Sequence, residues 1–153
     1  MKGFLFRAFF CFAVVTAVSV SEAISQCDQE LIDICSGQIG ESTYIKHFKI
    51  RFGVSKSAKK PSTATFSVIL NKGTQYRFTT CNDAGKQGQT VLELADDFTV
   101  YGTNYDPATK KVYKSIDFQC NKTSPYYITM YFADGLEGCG VCMMSLVGMI
   151  KNN

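Results

Sequence analysis

The apolar residues of this chain follow two different periods. Between Ser25 and Ile39 they recur every three or four positions, which predicts an amphipathic helix that ends near Gly37 or Gly40. From Phe48 onward they recur at every second position, which predicts β-strands with one buried face. The chain is therefore expected to form one helix followed by strands.

Eight segments show the strand period, and turn-forming residues separate them. The predicted strands are 48–54, 64–70, 76–80, 91–95, 98–103, 112–120, 126–133 and 141–150. The turns include Asn71-Lys72-Gly73, Asp106-Pro107 and Ser124-Pro125. Short strands at regular spacing, with no helix between them, predict an all-β fold, an antiparallel β-sandwich or jelly roll of about eight strands.

The beginning of the chain has the pattern of a signal peptide. Lys2 and Arg7 precede an apolar run of 11 residues, and Ser21 and Ala23 follow at the positions that signal peptidase recognises. The run is shorter than the roughly 20 residues that span a bilayer. We therefore expect a signal peptide at 1–23 and a single domain at 24–153 without a membrane span, located in the periplasm, at the cell surface or outside the cell.

Composition and charge narrow the possible functions. The chain has 12 Phe and 8 Tyr among 153 residues, which favours a folded core over disorder. Its net charge is +3, and the predicted signal peptide carries two basic residues and one acid, so +2 remains after cleavage. So small an excess predicts no nucleic-acid partner.

Six cysteines remain after the signal peptide, and an even number in a small exported domain predicts three disulfides. They are Cys27, Cys35, Cys81, Cys120, Cys139 and Cys142. Cys27 and Cys35 lie about 12 Å apart along a helix and cannot bond to each other, so we expect them to tie the helix to the sheets. The sequence leaves the connectivity open.

Two features raise the possibility of catalysis. Cys139 and Cys142 form a C-x-x-C motif, but no βαβ pattern surrounds it, so a structural disulfide is favoured over a redox centre. His47 is the single histidine, and no nucleophile motif accompanies it. We predict that the protein is not an enzyme and has no cofactor; the alternative is a small thiol-redox or hydrolytic enzyme.

Tyrosines are the candidate binding residues. Tyr101, Tyr105 and Tyr113 flank the turn at Asp106, and a second group, Tyr127 and Tyr131, shares one face of a strand. Tyrosine side chains suit a protein interface or a sugar ring. The absence of Trp weakens the case for a carbohydrate-binding module, which is kept as an alternative.

Acidic turns and a basic loop complete the candidate chemistry. Calcium takes oxygen ligands from such turns, so Asp96, Asp97 and Asp106 are weak candidates for a calcium site, although no metal is predicted. A basic cluster lies between the first two strands, at Lys56, Lys59 and Lys60. This loop adds polar character to a potential protein interface.

Three strand motifs carry a family resemblance. Tyr76-Arg77-Phe78 precedes an L-x-L-x-D strand at 92–96, and a third strand follows at 124–128. In this order they resemble pre-peptidase C-terminal and CUB-like domains, and the chain from Phe66 onward resembles small exported β-sandwich proteins of Bacteroidota-type bacteria. The resemblance implies a non-catalytic binding or adaptor module, which we expect to dock on a larger protein of the cell envelope.

Overall fold

The computed structural model describes residues 29–150. The predicted signal peptide, Cys27 and the first turn of the predicted helix lie outside this range. Helix α1 (Gln29–Ser36) ends just before Gly37, whose N–H donates to the carbonyl oxygen of Asp33 at 3.2 Å. The described helix therefore ends at the first of the two predicted glycines, and Ile39 beyond it is still buried.

Ten strands follow the helix. They are β1 (Thr43–Phe52), β2 (Thr63–Leu70), β3 (Thr74–Asn82), β4 (Thr90–Ala95), β5 (Val100–Thr103), β6 (Tyr105–Asp106), β7 (Lys111–Val112), β8 (Ser115–Cys120), β9 (Ser124–Phe132) and β10 (Gly138–Met149). A single 3-10 turn at Ala133–Gly135 separates the last two strands.

The eight longer strands form two antiparallel sheets of four strands each. The back sheet has the order β1-β10-β3-β8, and the front sheet has the order β2-β9-β4-β5. The two short strands β6 and β7 form a separate hairpin. The predicted all-β sandwich with eight main strands is confirmed. The predicted strand 112–120 is divided, because β7 pairs with β6 and only β8 joins the back sheet.

The core lies between the two sheets and is built from alternate residues of each strand. On β9, for example, Tyr126, Ile128, Met130 and Phe132 are buried, whereas Tyr127 and Tyr131 lie on the opposite face. This arrangement confirms the predicted face of Tyr127 and Tyr131. Other core side chains are Phe48, Ile50, Val68, Leu70, Tyr76, Phe78, Leu92, Leu94, Cys142 and Met144.

Helix α1 covers the outer face of the back sheet. Its buried residues Leu31, Ile32 and Cys35 pack in a second apolar cluster. The sheet contributes Cys81, Cys139, Val141 and Met143 to that cluster. A disulfide joins Cys35 to Cys81 with a Cα–Cα distance of 5.6 Å, as expected for a helix cysteine that ties the helix to the sheets.

The prediction that Cys120 and Cys142 are disulfide-bonded is wrong, because both are buried free thiols. Cys139 is disulfide-bonded and lies in the cluster under α1, whereas Cys142 lies in the core between the sheets. Residues three apart on a strand point to opposite faces, so these two cysteines cannot bond to each other.

Distance excludes the remaining pairing within the core. Cys120 is aligned with Thr74 on β3, and Cys142 is aligned with Thr80 on the same strand. Six residues along a strand correspond to roughly 20 Å, far beyond the separation of about 6 Å that a disulfide allows. The two thiols therefore remain separate.

Candidate functional site

The outer face of the front sheet carries an apolar surface at one end. Tyr127 is aligned with Ser67 on one side and with Ala95 on the other, and Ala95 is aligned with Val100. These side chains form one row across four strands, or about 15 Å at roughly 4.8 Å per strand spacing. In the next row towards the end of the sheet, Ile69 is aligned with Pro125.

Three side chains of this surface are strongly exposed. Phe98, in the turn between β4 and β5, is 94% exposed; Ile69 is 70% exposed and Val100 is 58% exposed. We name the surface the front-sheet patch. It consists of Ile69, Ala95, Phe98, Val100, Pro125 and Tyr127.

Asp96 holds the turn that presents Phe98. Its Oδ1 accepts hydrogen bonds from the backbone N–H groups of Phe98 at 2.9 Å and Thr99 at 2.7 Å, and its Oδ2 accepts one from the Tyr101 hydroxyl at 2.7 Å. The Tyr101 hydrogen bond and then the Phe98 N–H lower the pKa of Asp96. The same hydrogen bond raises the pKa of Tyr101 to about 12. Tyr101 and Asp96 therefore stabilise one conformation of the turn.

Acid is expected to loosen this turn. Because the folded-state pKa of Asp96 is lowered, its stabilising contribution is present above the unfolded pKa of about 3.9 and is lost as the pH falls through the lower folded value. In an NMR pH titration, the amide signals of Phe98 and Thr99 should shift in this acidic range. An Asp96→Asn variant should lack the transition, and an Asp134→Asn control should retain it. Retention of the transition in Asp96→Asn would contradict the assignment.

The predicted tyrosines do not form one site. Tyr101 turns towards the edge of the core, where its ring lies 5.3 Å from that of Phe118 and 5.5 Å from that of Tyr126. The Lys111 amino group lies above the Tyr113 ring, 4.7 Å from the ring centroid. Tyr127 alone of the predicted tyrosines belongs to the front-sheet patch. A hydrogen bond to Asp97 raises the pKa of Tyr127.

Tyr105 and Tyr131 meet at the opposite end of the front sheet. They line a pocket of about 260 Å³ together with residues from the β1–β2 loop and from the turn after β9. Burial is the main cause that raises the pKa of Tyr131. The basic-loop residue Lys59 and the acidic residue Asp134 line the pocket as well. This pocket is a second, smaller candidate site.

The weak calcium candidates are engaged in local hydrogen bonds. The Asp106 carboxylate accepts from the Ala108 N–H at 2.9 Å and from the Thr109 hydroxyl at 2.7 Å, and these bonds lower its pKa. Asp96 has the partners described above, and Asp97 bonds to Tyr127. Within residues 29–150, no three His, Cys, Asp or Glu side chains group as metal ligands would.

The candidate redox and histidine chemistry is placed unfavourably for catalysis. Burial raises the pKa of the Cys142 thiol to about 12, whereas a redox cysteine has a lowered pKa. His47 lies half-buried on the edge strand β1, and its Nδ1 forms a hydrogen bond with the Tyr44 hydroxyl at 2.8 Å. Neither group has the geometry of an activated nucleophile.

The sequence prediction missed the two most exposed patch residues. Ile69 occupies an outward position between Val68 and Leu70, so a large apolar side chain on a polar-facing position was the available signal. The predicted strand 98–103 begins at Phe98, whereas β5 begins at Val100 and Phe98 lies in the turn that Asp96 stabilises. Asp96, two residues before Phe98, is a weaker sign of an exposed aromatic side chain, because Asp is common in turns of every kind.

No protein-family model and no curated protein sequence matches this chain. A similar solved structure is the pre-peptidase C-terminal domain of collagenase from Bacillus anthracis, with a TM-score of 0.49 and 12% identity over 67% of this chain and 89% of that one. This domain is of a class that the sequence resembles, while a Bacteroidota origin has no support.

A second similar structure is Aeromonas hydrophila PliG, a periplasmic inhibitor of g-type lysozyme. Its TM-score is 0.48, with 12% identity over 71% of this chain and 91% of that one. Within residues 29–150, no helix has the length and apolar character needed to cross a membrane. These comparisons identify small β-domains of similar shape and do not assign a family.

Proposed function

We propose that this protein is a non-catalytic binding module that acts outside the cytoplasm and docks on a larger protein of the cell envelope through the front-sheet patch. The observation that carries the proposal is the exposure of Phe98, Ile69 and Val100 at one end of the front sheet. Burying a side chain such as Phe or Ile contributes about 1.5–3 kcal/mol. A partner that covers these three side chains would therefore gain a large part of its binding energy here.

The two outer faces of the sandwich differ in a way that supports this choice. On the back sheet, α1 covers apolar residues such as Val141 and Met143, which are fully buried. On the front sheet, the apolar end remains exposed among the described residues. Asp97 forms a hydrogen bond with the patch residue Tyr127, so the patch combines aromatic and polar groups as protein interfaces do.

Disulfide bonding supports a location outside the cytoplasm. Cys35 and Cys81 are joined, and Cys139 is disulfide-bonded as well. Disulfides persist in the periplasm and in extracellular space, where the environment is oxidising. The Cys35–Cys81 bond also fixes α1 on the back sheet, on the side away from the front-sheet patch.

Affinity capture from the native cell envelope tests the proposal. The mature domain is used as bait beside a double variant, Phe98→Ser with Ile69→Thr, in which two patch residues are made polar. We expect one partner protein, retained by the native domain and reduced at least tenfold by the double variant. The matched control is Tyr113→Ser with Val54→Thr, because Tyr113 and Val54 are exposed aromatic and aliphatic residues outside the patch.

Two outcomes would overturn the proposal. The first is a partner that the patch variant retains as strongly as the control does. The second is the absence of a protein partner together with saturable binding to a glycan array. In that case the pocket of Tyr105 and Tyr131 would become the candidate site of a carbohydrate-binding module.

A further inference from the structure

Basic residues are concentrated in one part of the sequence. Between Glu41 and Asp83 there is no acidic residue, while eight of the 16 Lys and Arg residues of the chain fall there. Six of the eight belong to β1 and the loop that follows it: Lys46, Lys49, Arg51, Lys56, Lys59 and Lys60. This local excess exceeds the net charge of the whole chain, which is +3.

The fold places part of this charge along a groove. β1 is the edge strand of the back sheet and β2 is the edge strand of the front sheet. The two edges adjoin, since the Phe48 and Phe66 rings are 4.9 Å apart. Between them lies an open groove of about 560 Å³, whose floor and walls are formed by Lys46, His47, Phe48, Lys49, Thr65, Phe66 and Ser67.

The charges in the groove are not neutralised by the described part of the chain. Within residues 29–150 the ion pairs are Arg77 with Asp117 and Lys86 with Glu137, and neither involves the groove. The Lys46 amino group lies 5.4 Å from the Phe48 ring centroid, so it remains beside the apolar floor. The groove thus combines an aromatic floor with unpaired cations.

The groove also runs beside two strand edges. β1 has ten residues and pairs with β10, while β2 has eight residues and pairs with β9, each on one side. An edge strand presents backbone donors and acceptors to which another extended segment can be added. Lysines on an edge also prevent association with a second copy, because β1 beside β1 would place like charges together.

We propose that the β1–β2 groove binds an acidic, extended segment of another protein, which is added as a strand along β1 with its carboxylates beside Lys46 and Lys49. The strand edge favours a polypeptide over a polyanionic glycan, because a glycan lacks the backbone amides that continue a sheet. This surface lies on the side edge of the sandwich and differs from the front-sheet patch. The inference therefore goes beyond the proposed function and does not depend on it.

The first test uses a synthetic peptide in which Glu residues recur at every third position between Thr and Val residues, with blocked ends, labelled for fluorescence anisotropy; this spacing places carboxylates on both faces of an added strand, as Lys46 and Lys49 require. We expect saturable binding that weakens about tenfold in the Lys46→Glu, Lys49→Glu double variant. The control with the same change in charge is Lys110→Glu with Lys114→Glu, where both residues are exposed and lie outside the groove. This control should bind within about twofold of the native domain. Thermal unfolding of both variants establishes that they are folded.

The second test separates strand addition from attraction between charges. A peptide with the same sequence but N-methylated at every residue keeps every carboxylate and loses all of its backbone donors, so that neither of its edges can continue the sheet. We expect it to bind at least tenfold more weakly than the parent peptide. Equal binding of both peptides, or equally strong competition by heparin, would overturn strand addition. No binding of the parent peptide would show that the lysines only protect the edge.

Discussion

Replacement of Asn104 by alanine is expected to lower the free energy of unfolding by about 3–5 kcal/mol. Asn104 is fully buried, and its Oδ1 accepts a hydrogen bond from the Leu92 N–H at 2.7 Å. The two hydrogens of its Nδ2 are shared among three acceptors, the carbonyl oxygens of Thr90 at 3.1 Å and Tyr113 at 2.9 Å and the Thr80 hydroxyl at 3.1 Å. The side chain therefore joins β3, β4 and the β7–β8 segment, and its loss leaves several buried groups without a partner.

Urea denaturation measures this loss. The matched control is Asn121→Ala, because Asn121 is exposed in the turn between β8 and β9. We expect the control to change the stability by less than about 0.5 kcal/mol, as is usual for surface positions. An Asn104→Ala variant within about 1 kcal/mol of the native protein would contradict the role assigned to this amide.

Removal of the Cys35–Cys81 disulfide is also expected to lower the free energy of unfolding strongly. The two cysteines are 46 positions apart, and closing a loop of this length in the unfolded chain corresponds to about 4 kcal/mol of stability at 25 °C. The Cys35→Ala, Cys81→Ala double variant should lose at least this amount, because α1 also loses its covalent tie to β3. Hydrogen exchange should become faster at Leu31 and Ile32 before it does so in the core.

A single Cys120→Ala variant provides the control for this experiment. Cys120 is as deeply buried as Cys35 but is a free thiol, so its replacement removes core packing without opening a loop. We expect a loss of about 1–2 kcal/mol and unchanged exchange in α1. If both variants lose the same stability, the disulfide does not hold the helix in the way described.

Local patterns predicted most of the fold, because apolar residues at alternate positions mark the core-facing side of strands such as β1, β2 and β9. β9 is the clearest case, since every second residue from Tyr126 to Phe132 is buried. The cysteine pairing depended instead on which strand residues face α1 and which face the core between the sheets. The predicted strand 141–150 leaves out Cys139, whereas β10 begins at Gly138, and this longer strand places Cys139 and Cys142 on opposite faces.

The candidate site was less predictable because it depends on how strands align. The β4–β5 pairing has a register shift between Leu94 and Ala95, and Tyr101 packs beside Phe118 and Tyr126 at the edge of the core. Asn104 has the local sequence of a plain turn, yet its partners come from strands that are distant in sequence. The orientation of Tyr101 and the partners of Asn104 cannot be obtained from composition or periodicity, since both arise only when the sheets have formed.

Site-specific photo-crosslinking in intact cells tests the proposed contact between the front-sheet patch and a protein partner. A photoreactive phenylalanine analogue is placed at position 98, at position 69 and, as a control, at position 113. We expect one discrete high-mass adduct from positions 98 and 69, containing the same partner protein, and no such adduct from position 113. Absence of an adduct from positions 98 and 69, or the same adduct from all three positions, would contradict the claim.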